Sequence, residues 1–212
     1  MVGRHEEVVP VVVVDLDGTL LRGNSFKLYV RCGACALLRK RRLGGFVRLL
    51  AATFLRKLSV ITHNRYREIC AALIGFESDA TYKMAECAGM SEAVLHFVAD
   101  RRKEGCQCLL ATAALEDYTY AFWEGARVGS VLKDGRVLVD CRGEVKLQRV
   151  LEALGGRVPA YALSDDIEDE PLLRYVAEHG GRAVLVNPNK KTLRFFREFE
   201  PSKLFDVELL MD

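Results

Sequence analysis

The pattern of apolar and polar positions divides the chain into two kinds of sequence. In the first and last parts, short β-rich apolar runs alternate with stretches of helical periodicity, which is typical of a parallel sheet covered by helices. Two β-rich stretches between 127 and 140 flank Asp134-Gly135, a dipeptide that predicts a hairpin. The predicted strands are 8–14, 106–111, 160–163 and 183–186, and the predicted helices are 91–104, 144–154, 169–178 and 190–199.

The second kind of sequence, residues 22–88, is helical in pattern, with few β-rich runs and with glycines as breaks. Because it interrupts the α/β pattern, we interpret it as an inserted helical cap, with 1–21 and 89–212 forming the core domain. One predicted helix of the cap carries apolar residues at helical spacing, with Arg41, Arg48 and Arg56 opposite them. Such a face more often packs on a neighbouring helix than on a membrane. The apolar residues are Leu43, Phe46, Val47, Leu50, Phe54 and Leu58.

Composition adds an uneven distribution of charge. The 212 residues carry a net charge of only +2, but between Gly18 and Arg67 there are twelve basic residues and no acidic one. This asymmetry indicates either an anionic substrate or lipid surface for the basic segment, or a solvated basic face that docks on an acidic core. A nucleic-acid partner is not expected, and the pattern leaves the oligomeric state open.

The expected compartment is the cytoplasm. No apolar run approaches the roughly 18 residues of a membrane-spanning helix. The apolar run 8–14 contains Pro10 and leads directly into Asp15 without a small-residue cleavage site, so we interpret it as a strand and not as a signal peptide. Seven cysteines, including the pair Cys32 and Cys35, are expected to stay reduced there. Attachment to the inner face of a membrane is the alternative that the basic segment allows.

The strongest candidate for chemistry follows the first predicted strand. A continuous valine run, 11–14, is typical of a buried parallel strand, and it ends in Asp15-Leu-Asp17-Gly18-Thr19. Ligands of open α/β sheets bind at the carboxyl ends of strands, so two carboxylates at this point are placed for catalysis. Gly18 permits the sharp exit of the chain.

Asp15-Leu-Asp17-Gly-Thr-Leu resembles the first motif of the haloacid dehalogenase superfamily, whose members are mostly phosphatases and share a Rossmann-like parallel sheet. The family pattern then requires a Ser or Thr that ends the next core strand, a Lys, and an acidic run after a later strand. This chain supplies Thr112, Lys146, Asp165 and Asp169 in that order. The position of the helical insert, together with Pro171-Leu-Leu after the acidic run, resembles the phosphoserine-phosphatase branch.

The resemblance implies a role for each matching residue. Asp15 is the expected nucleophile and Asp17 the expected general acid and base, while Thr112 and Lys146 bind the phosphate. A Mg²⁺ ion is expected as the cofactor, held by Asp15, Asp165 and the backbone carbonyl of Asp17, with Asp169 supporting the site from behind. The expected activity is hydrolysis of a phosphate monoester through an aspartyl-phosphate.

The substrate is the least defined part of the prediction. Phosphoserine phosphatases carry a Glu shortly after the first motif that meets the substrate amine, whereas this chain has Gly23-Asn24-Ser25 there. The preferred interpretation is a small phosphorylated metabolite. Two alternatives remain, a phospholipid head-group ester at a membrane surface and a noncatalytic interaction protein that retains the fold.

Overall fold

A computed structural model describes residues 9–76, 79–198 and 207–211 of the chain. Within these residues, seven strands form one sheet. The strands are β1 (Val11–Val14), β2 (Gln107–Leu115), β3 (Arg127–Lys133), β4 (Arg136–Val139), β5 (Tyr161–Ser164), β6 (Arg182–Val186) and β7 (Val207–Leu210). Their order across the sheet is β4-β3-β2-β1-β5-β6-β7, which places β1 in the middle.

Neighbouring strands are parallel except at one edge. β1 pairs in parallel with β2 and with β5, and β6 and β7 continue the parallel part. The predicted hairpin is confirmed: β3 and β4 pair antiparallel around Asp134 and Gly135, both of which have positive φ. Two consecutive residues of positive φ match the right-handed twist of a two-residue hairpin.

Helices cover the sheet and fill the insert. The helices are α1 (Ser25–Arg39), α2 (Leu43–Lys57), α3 (His63–Ile74), α4 (Asp79–Cys87), α5 (Glu92–Lys103), α6 (Glu116–Thr119), α7 (Gly143–Ala153), α8 (Glu170–Glu178) and α9 (Lys190–Glu198), with a short 3-10 helix at Ile167–Asp169. Side-chain caps fix several of their starts, as the predicted cap Ser91 does by accepting from the backbone N–H of Val94. None of the described helices is long and apolar enough to cross a membrane.

The central strand shows why its sequence is apolar at every position. Val12 and Val14 belong to a cluster that includes residues of α1 to α5, whereas Val11 and Val13 belong to a cluster on the opposite face with residues of α7 to α9. All four valines are at most 2% exposed. A parallel strand covered on both faces has no side left for polar residues, so the predicted α/β architecture with a parallel sheet is confirmed.

A buried arginine connects the helical insert to the core. Arg67 of α3 is 2% exposed. Its guanidinium donates to the backbone carbonyl of Ala113, 2.5 Å away, and to the carboxylate of Asp140 at 3.2 Å. The region between β1 and α5 is helical as expected, while the division into a cap (22–88) and a core (1–21 and 89–212) stays a prediction.

Four expectations differ from the structure. β2 continues four residues beyond the predicted end. Its pairing with β1 stops at Leu110, but its pairing with β3 continues to Leu115, with a register shift between Ala111 and Leu115. Strand β7 was not expected, since its four residues give too short a pattern. The predicted strand 8–14 is also shorter, since β1 begins only at Val11. The predicted ends at 8 and 199 lie outside the described residues.

The fourth difference concerns α2. Its apolar face was expected to pack on a neighbouring helix, and this prediction is wrong. The helix instead buries Leu49 and Ala52, and Phe46 is half-buried. The other five residues of the predicted face, namely Leu43, Val47, Leu50, Phe54 and Leu58, are 52–61% exposed.

Candidate active site

The candidate site lies at the carboxyl edge of the sheet. Asp15 directly follows β1, and Asp165 directly follows the adjacent strand β5. Both carboxylates line a cavity of about 800 Å³. The cavity brings together all six predicted site residues. The six are Asp15, Asp17, Thr112, Lys146, Asp165 and Asp169.

A buried lysine stands between two carboxylates. Lys146 of α7 is 3% exposed, and its Nζ donates to Asp15 Oδ1 at 2.8 Å and to the Asp169 carboxylate at 2.7 Å. Burial opposes the lysine charge, but Asp15 and Asp169 outweigh it, so the pKa of Lys146 lies above its ordinary value. The ammonium group is therefore held charged against the face of the cavity.

Asp169 is held from behind the cavity. Its carboxylate accepts from Ser164 Oγ at 2.6 Å as well as from Lys146. Ser164 is the last residue of β5, and sequence reasoning missed it because a buried serine in a strand has no distinguishing pattern. With these two donors the carboxylate of Asp169 is held beside Lys146 and orients its ammonium group.

Asp17 is positioned by the start of α1. Its Oδ1 accepts from the backbone N–H of Ser25 at 2.6 Å, and its Oδ2 lies 3.4 Å from Asn24 Nδ2. Asn24 also caps α1 by accepting from the backbone N–H of Lys27. The stretch Gly23-Asn24-Ser25 lacks the acid of phosphoserine phosphatases, and here it orients the predicted acid–base residue instead.

Gly18 has a steric reason to be glycine. Its φ is +86°, and a Cβ at this position would lie 2.1 Å from Asp165 Oδ2. Any side chain would therefore displace the Asp165 carboxylate as well as strain the backbone. Asp165 also accepts a hydrogen bond from Thr19 Oγ1 at 3.3 Å, so the first motif itself determines where this second carboxylate lies.

Thr112 is 1% exposed and lines the cavity, but it does not end its strand as predicted. It lies within β2, just beyond Leu110, where the pairing with β1 stops. Its Oγ1 accepts from the backbone N–H of Ala114 at 3.0 Å. Since the oxygen accepts there, the hydroxyl hydrogen remains available to a ligand.

Burial sets the protonation of the carboxylates. It raises the pKa of Asp15 to about 8, against the opposing effect of Lys146, and it raises the pKa of Asp17. Burial and the neighbouring charge of Asp166 raise the pKa of Asp165 to about 6. A cation bound between these carboxylates would stabilise their charged forms.

The oxygen donors at this edge suit magnesium. Among the described residues, there is no cluster of three or more His, Cys, Asp or Glu side chains that could hold a metal ion by themselves. The implied ligand set does not need one, because it combines only two carboxylates, Asp15 and Asp165, with a backbone carbonyl. Mg²⁺ is usually bound by one or two carboxylates and keeps several waters, so the residues fit this ion.

Two further residues of the cavity were not predicted as site residues. Arg142, just before α7, donates to both carboxylate oxygens of Glu168 at 3.1–3.2 Å and to Asp140 at 3.2 Å. Asp166 lines the cavity and is exposed, and its Oδ1 accepts from the backbone N–H of Glu168. Neither residue type is distinctive in the sequence, and only the fold brings both to the mouth of the cavity.

Comparisons with solved structures show the fold. A protein of unknown function from Bordetella pertussis Tohama I is 22% identical with a TM-score of 0.65, over 95% of this chain and 99% of that chain. A probable phosphoserine phosphatase from Vibrio cholerae is 12% identical with a TM-score of 0.57, over 86% and 59%. A phospho-aspartyl intermediate analogue of phosphoserine phosphatase is 12% identical with a TM-score of 0.52, over 95% and 93%.

The sequence itself identifies the family. No curated protein matches the chain. The family model described as haloacid dehalogenase-like hydrolase, however, matches residues 12–174, which include most of β1, the insert and all six predicted site residues. The predicted resemblance is thereby confirmed, and the chain belongs to the haloacid dehalogenase-like hydrolase family.

Proposed function

We propose that the protein is a magnesium-dependent phosphomonoesterase that uses Asp15 as its nucleophile. The observation that carries the proposal is the buried contact of Lys146 with Asp15 and Asp169, at the edge of a cavity that also exposes Asp165. A charged lysine next to a carboxylate at the carboxyl edge of a parallel sheet suits the attack of that carboxylate on a phosphate, whose negative charge would otherwise repel it. The family membership and the fold support this choice.

The phosphate is bound by donors that converge on the cavity. Lys146 supplies a positive charge, and the hydroxyl of Thr112 donates to a phosphate oxygen. Asp15, Asp165 and the Asp17 carbonyl would hold magnesium, which would supply further charge neutralisation for the phosphoryl group. These groups offset the repulsion between the substrate dianion and the Asp15 carboxylate.

The reaction takes place in two steps. A carboxylate oxygen of Asp15 attacks phosphorus, the bond from phosphorus to the ester oxygen breaks, and Asp17 donates its proton to the leaving oxygen. Water then attacks the phosphorus of the aspartyl-phosphate and Asp17 takes a proton from that water. The bond from phosphorus to the Asp15 oxygen breaks, inorganic phosphate leaves, and the Asp15 carboxylate is restored. The raised pKa of Asp17 suits this role, because burial favours the protonated form that the first step needs.

The test is phosphate release from a soluble aryl phosphate ester. We expect turnover with Mg²⁺, loss of turnover in excess chelator, and recovery when Mg²⁺ is returned. Ca²⁺ should restore it poorly, since it prefers looser coordination by more ligands. Full activity in excess chelator contradicts the proposal, and the absence of turnover on any phosphate ester would favour the noncatalytic alternative.

Two classes of compound are candidates for the natural substrate. A small phosphorylated metabolite is the preferred proposal from the sequence, and a screen of such compounds tests it directly. A phosphorylated lipid head group is the second candidate, and the exposed face of α2 is the specific observation that favours it.

A further inference from the structure

Helix α2 presents an apolar surface that no described part of the chain covers. Leu43, Val47, Leu50, Phe54 and Leu58 are spaced three or four residues apart, so they share one face of the helix. We call these five residues the α2 stripe. Each is more than half exposed, and together they extend for roughly 22 Å along the helix at 1.5 Å per residue. A contiguous exposed apolar surface of this kind marks an interaction site.

The stripe is not needed to hold α2 in place. The opposite face of the helix buries Leu49 and Ala52, and it packs on α1 and α3. Thr53 Oγ1 and Tyr66 Oη are 2.8 Å apart, which joins α2 to α3 by a hydrogen bond. Five large apolar side chains are therefore exposed to water although the fold gains little from them.

Helix α2 and the two residues before it carry exposed positive charge. Arg41, Arg42, Arg48 and Lys57 are all exposed, and we call them the basic rim. No described acidic side chain lies within ion-pair distance of any of the four, whereas the nearby Arg39 and Lys40 both approach Asp79. A helix that exposes an apolar stripe, carries cations and has no acidic residue complements a surface that is apolar within and anionic outside.

We propose that the α2 stripe and the basic rim dock the protein on an anionic lipid membrane. The stripe enters the boundary between head groups and acyl chains, and the rim contacts the lipid phosphates. A second copy of the chain suits this surface less well. In a two-fold interface the same patch faces itself, which would set cations opposite cations with no acid to pair them.

The catalytic cavity lies near the carboxyl end of α2. Arg56, near the carboxyl end of α2, lines a cavity of about 470 Å³ together with His63 and Arg142. Arg142 also lines the catalytic cavity. The inference about the substrate rests on the proposed phosphatase activity. If α2 lies on a membrane, a lipid that carries a phosphomonoester is the substrate class that we infer.

Binding is tested by cosedimentation with vesicles at low salt. We compare vesicles of phosphatidylcholine alone with vesicles that also contain phosphatidylglycerol. The protein should bind only the second kind, and salt should weaken the binding by screening the rim. Val47→Gln with Phe54→Gln should lower the affinity by at least about tenfold, since each replacement removes an inserted apolar side chain. Arg48→Gln with Lys57→Gln should weaken it as well.

A matched control separates the stripe from exposed apolar residues in general. Leu95→Gln with Leu138→Gln changes two exposed apolar residues outside the insert, and it should leave vesicle binding unchanged. The proposal is overturned if the wild type ignores anionic vesicles, if it binds neutral vesicles equally well, or if the stripe variant binds like the wild type. Self-association of the wild type that the stripe variant loses, without vesicle binding, would identify a second copy as the occupant.

The substrate class has its own readout. Vesicles that also carry phosphatidic acid should release phosphate with the wild type, and release should fall in the stripe variant. Both proteins should hydrolyse a soluble aryl phosphate at the same rate, because Val47 and Phe54 lie outside the catalytic cavity. If neither hydrolyses the aryl ester, the proposed function fails while vesicle binding still decides the docking. If the aryl ester is hydrolysed but the lipid is not, the substrate class is wrong.

Discussion

The carboxyl edge of the sheet and helix α2 depart in opposite ways from the usual pattern of apolar residues inside and charged residues outside. At the edge, charged groups are buried: Lys146 is 3% exposed, and it is paired with two carboxylates. On α2, apolar groups are exposed, and the cations beside them have no described acidic partner. Both arrangements cost stability compared with an ordinary core and an ordinary surface. The two regions are therefore where this molecule departs from what folding alone would select.

The two departures indicate different kinds of function. Buried charge that is completely paired defines a fixed geometry for chemistry on a small anion. An exposed apolar surface does not define the position of a reacting group. It contributes favourable free energy only when another surface covers it and removes it from water. The comparison predicts that changes at the sheet edge alter turnover, whereas changes on α2 alter association and leave turnover unchanged.

The largest effect is expected from Asp15→Asn. The amide cannot serve as the nucleophile, so turnover should fall by at least about 10⁴-fold, while Lys146 keeps Asp169 as a partner and the fold persists. Phosphate release and circular dichroism measure the two quantities. Asp166→Asn is the matched control, since this exposed carboxylate lines the same cavity without contacting Lys146, and it should keep most activity. Near wild-type turnover of Asp15→Asn would show that the assigned nucleophile is wrong.

The next effect concerns Asp17→Asn. The amide can still accept from the backbone N–H of Ser25, but it can neither give nor take the proton, so turnover should fall by about 10²–10⁴-fold. The loss should shrink for an aryl ester with a very acidic leaving group, because such an oxygen leaves without protonation. A loss that is the same for acidic and weakly acidic leaving groups argues against Asp17 as the general acid.

A substitution at Arg67 tests how much the buried charge in the insert contributes to the free energy of unfolding. Arg67→Met removes the donor to the Ala113 carbonyl and to Asp140, and it should lower the free energy of unfolding by about 2 kcal/mol or more. Arg65→Met on the same helix is the control. Arg65 is 62% exposed in its pair with Glu68, so its loss should change the free energy by about 0.5 kcal/mol or less. Equal effects in chemical denaturation would contradict the assigned connection.

One isosteric substitution compares the two apolar regions directly. Val13→Thr buries an unpaired hydroxyl in the central strand and should cost about 1–3 kcal/mol of unfolding free energy. Val47→Thr places the same hydroxyl in water on the α2 stripe, where the change should be about 0.5 kcal/mol or less. A large cost at Val47 would mean that the stripe is covered within the protein.

The smallest effect is expected at His63, which begins α3 and contacts the edge of the Phe26 ring. Burial and the nearby charge of Arg67 lower the pKa of His63 below its ordinary value of 6.5. The folded protein thus favours the neutral imidazole, so stability is complete above pH 6.5 and falls as the pH drops through the lower, folded pKa. His63→Gln should flatten the decline in thermal stability between pH 7 and pH 5. An unchanged slope would show that His63 does not contribute to it.

Local pattern predicted much of the fold and of the site. The valine run 11–14 could only be a strand buried on both faces, and an acidic pair at its end could only lie at the carboxyl edge. The order of Thr112, Lys146 and Asp165 along the chain then identified three more cavity residues. The positions of Asn24, Ser25 and Ser164 could not be found in this way. Each donates a hydrogen bond to a carboxylate of the cavity, and nothing in a single sequence distinguishes such a donor from an ordinary polar residue.

The sequence by itself determined the family, the parallel sheet and the residues of its reactive edge, because strand periodicity and motif order are local properties of the chain. Only the tertiary structure decided which apolar faces are buried against other elements. A helical spacing of Leu43, Val47 and Phe54 shows that a face exists, but burial depends on which surfaces the remaining elements leave available. The same holds for charge: Arg67 and Arg48 belong to one basic segment, yet the fold buries the first against Asp140 and exposes the second to water.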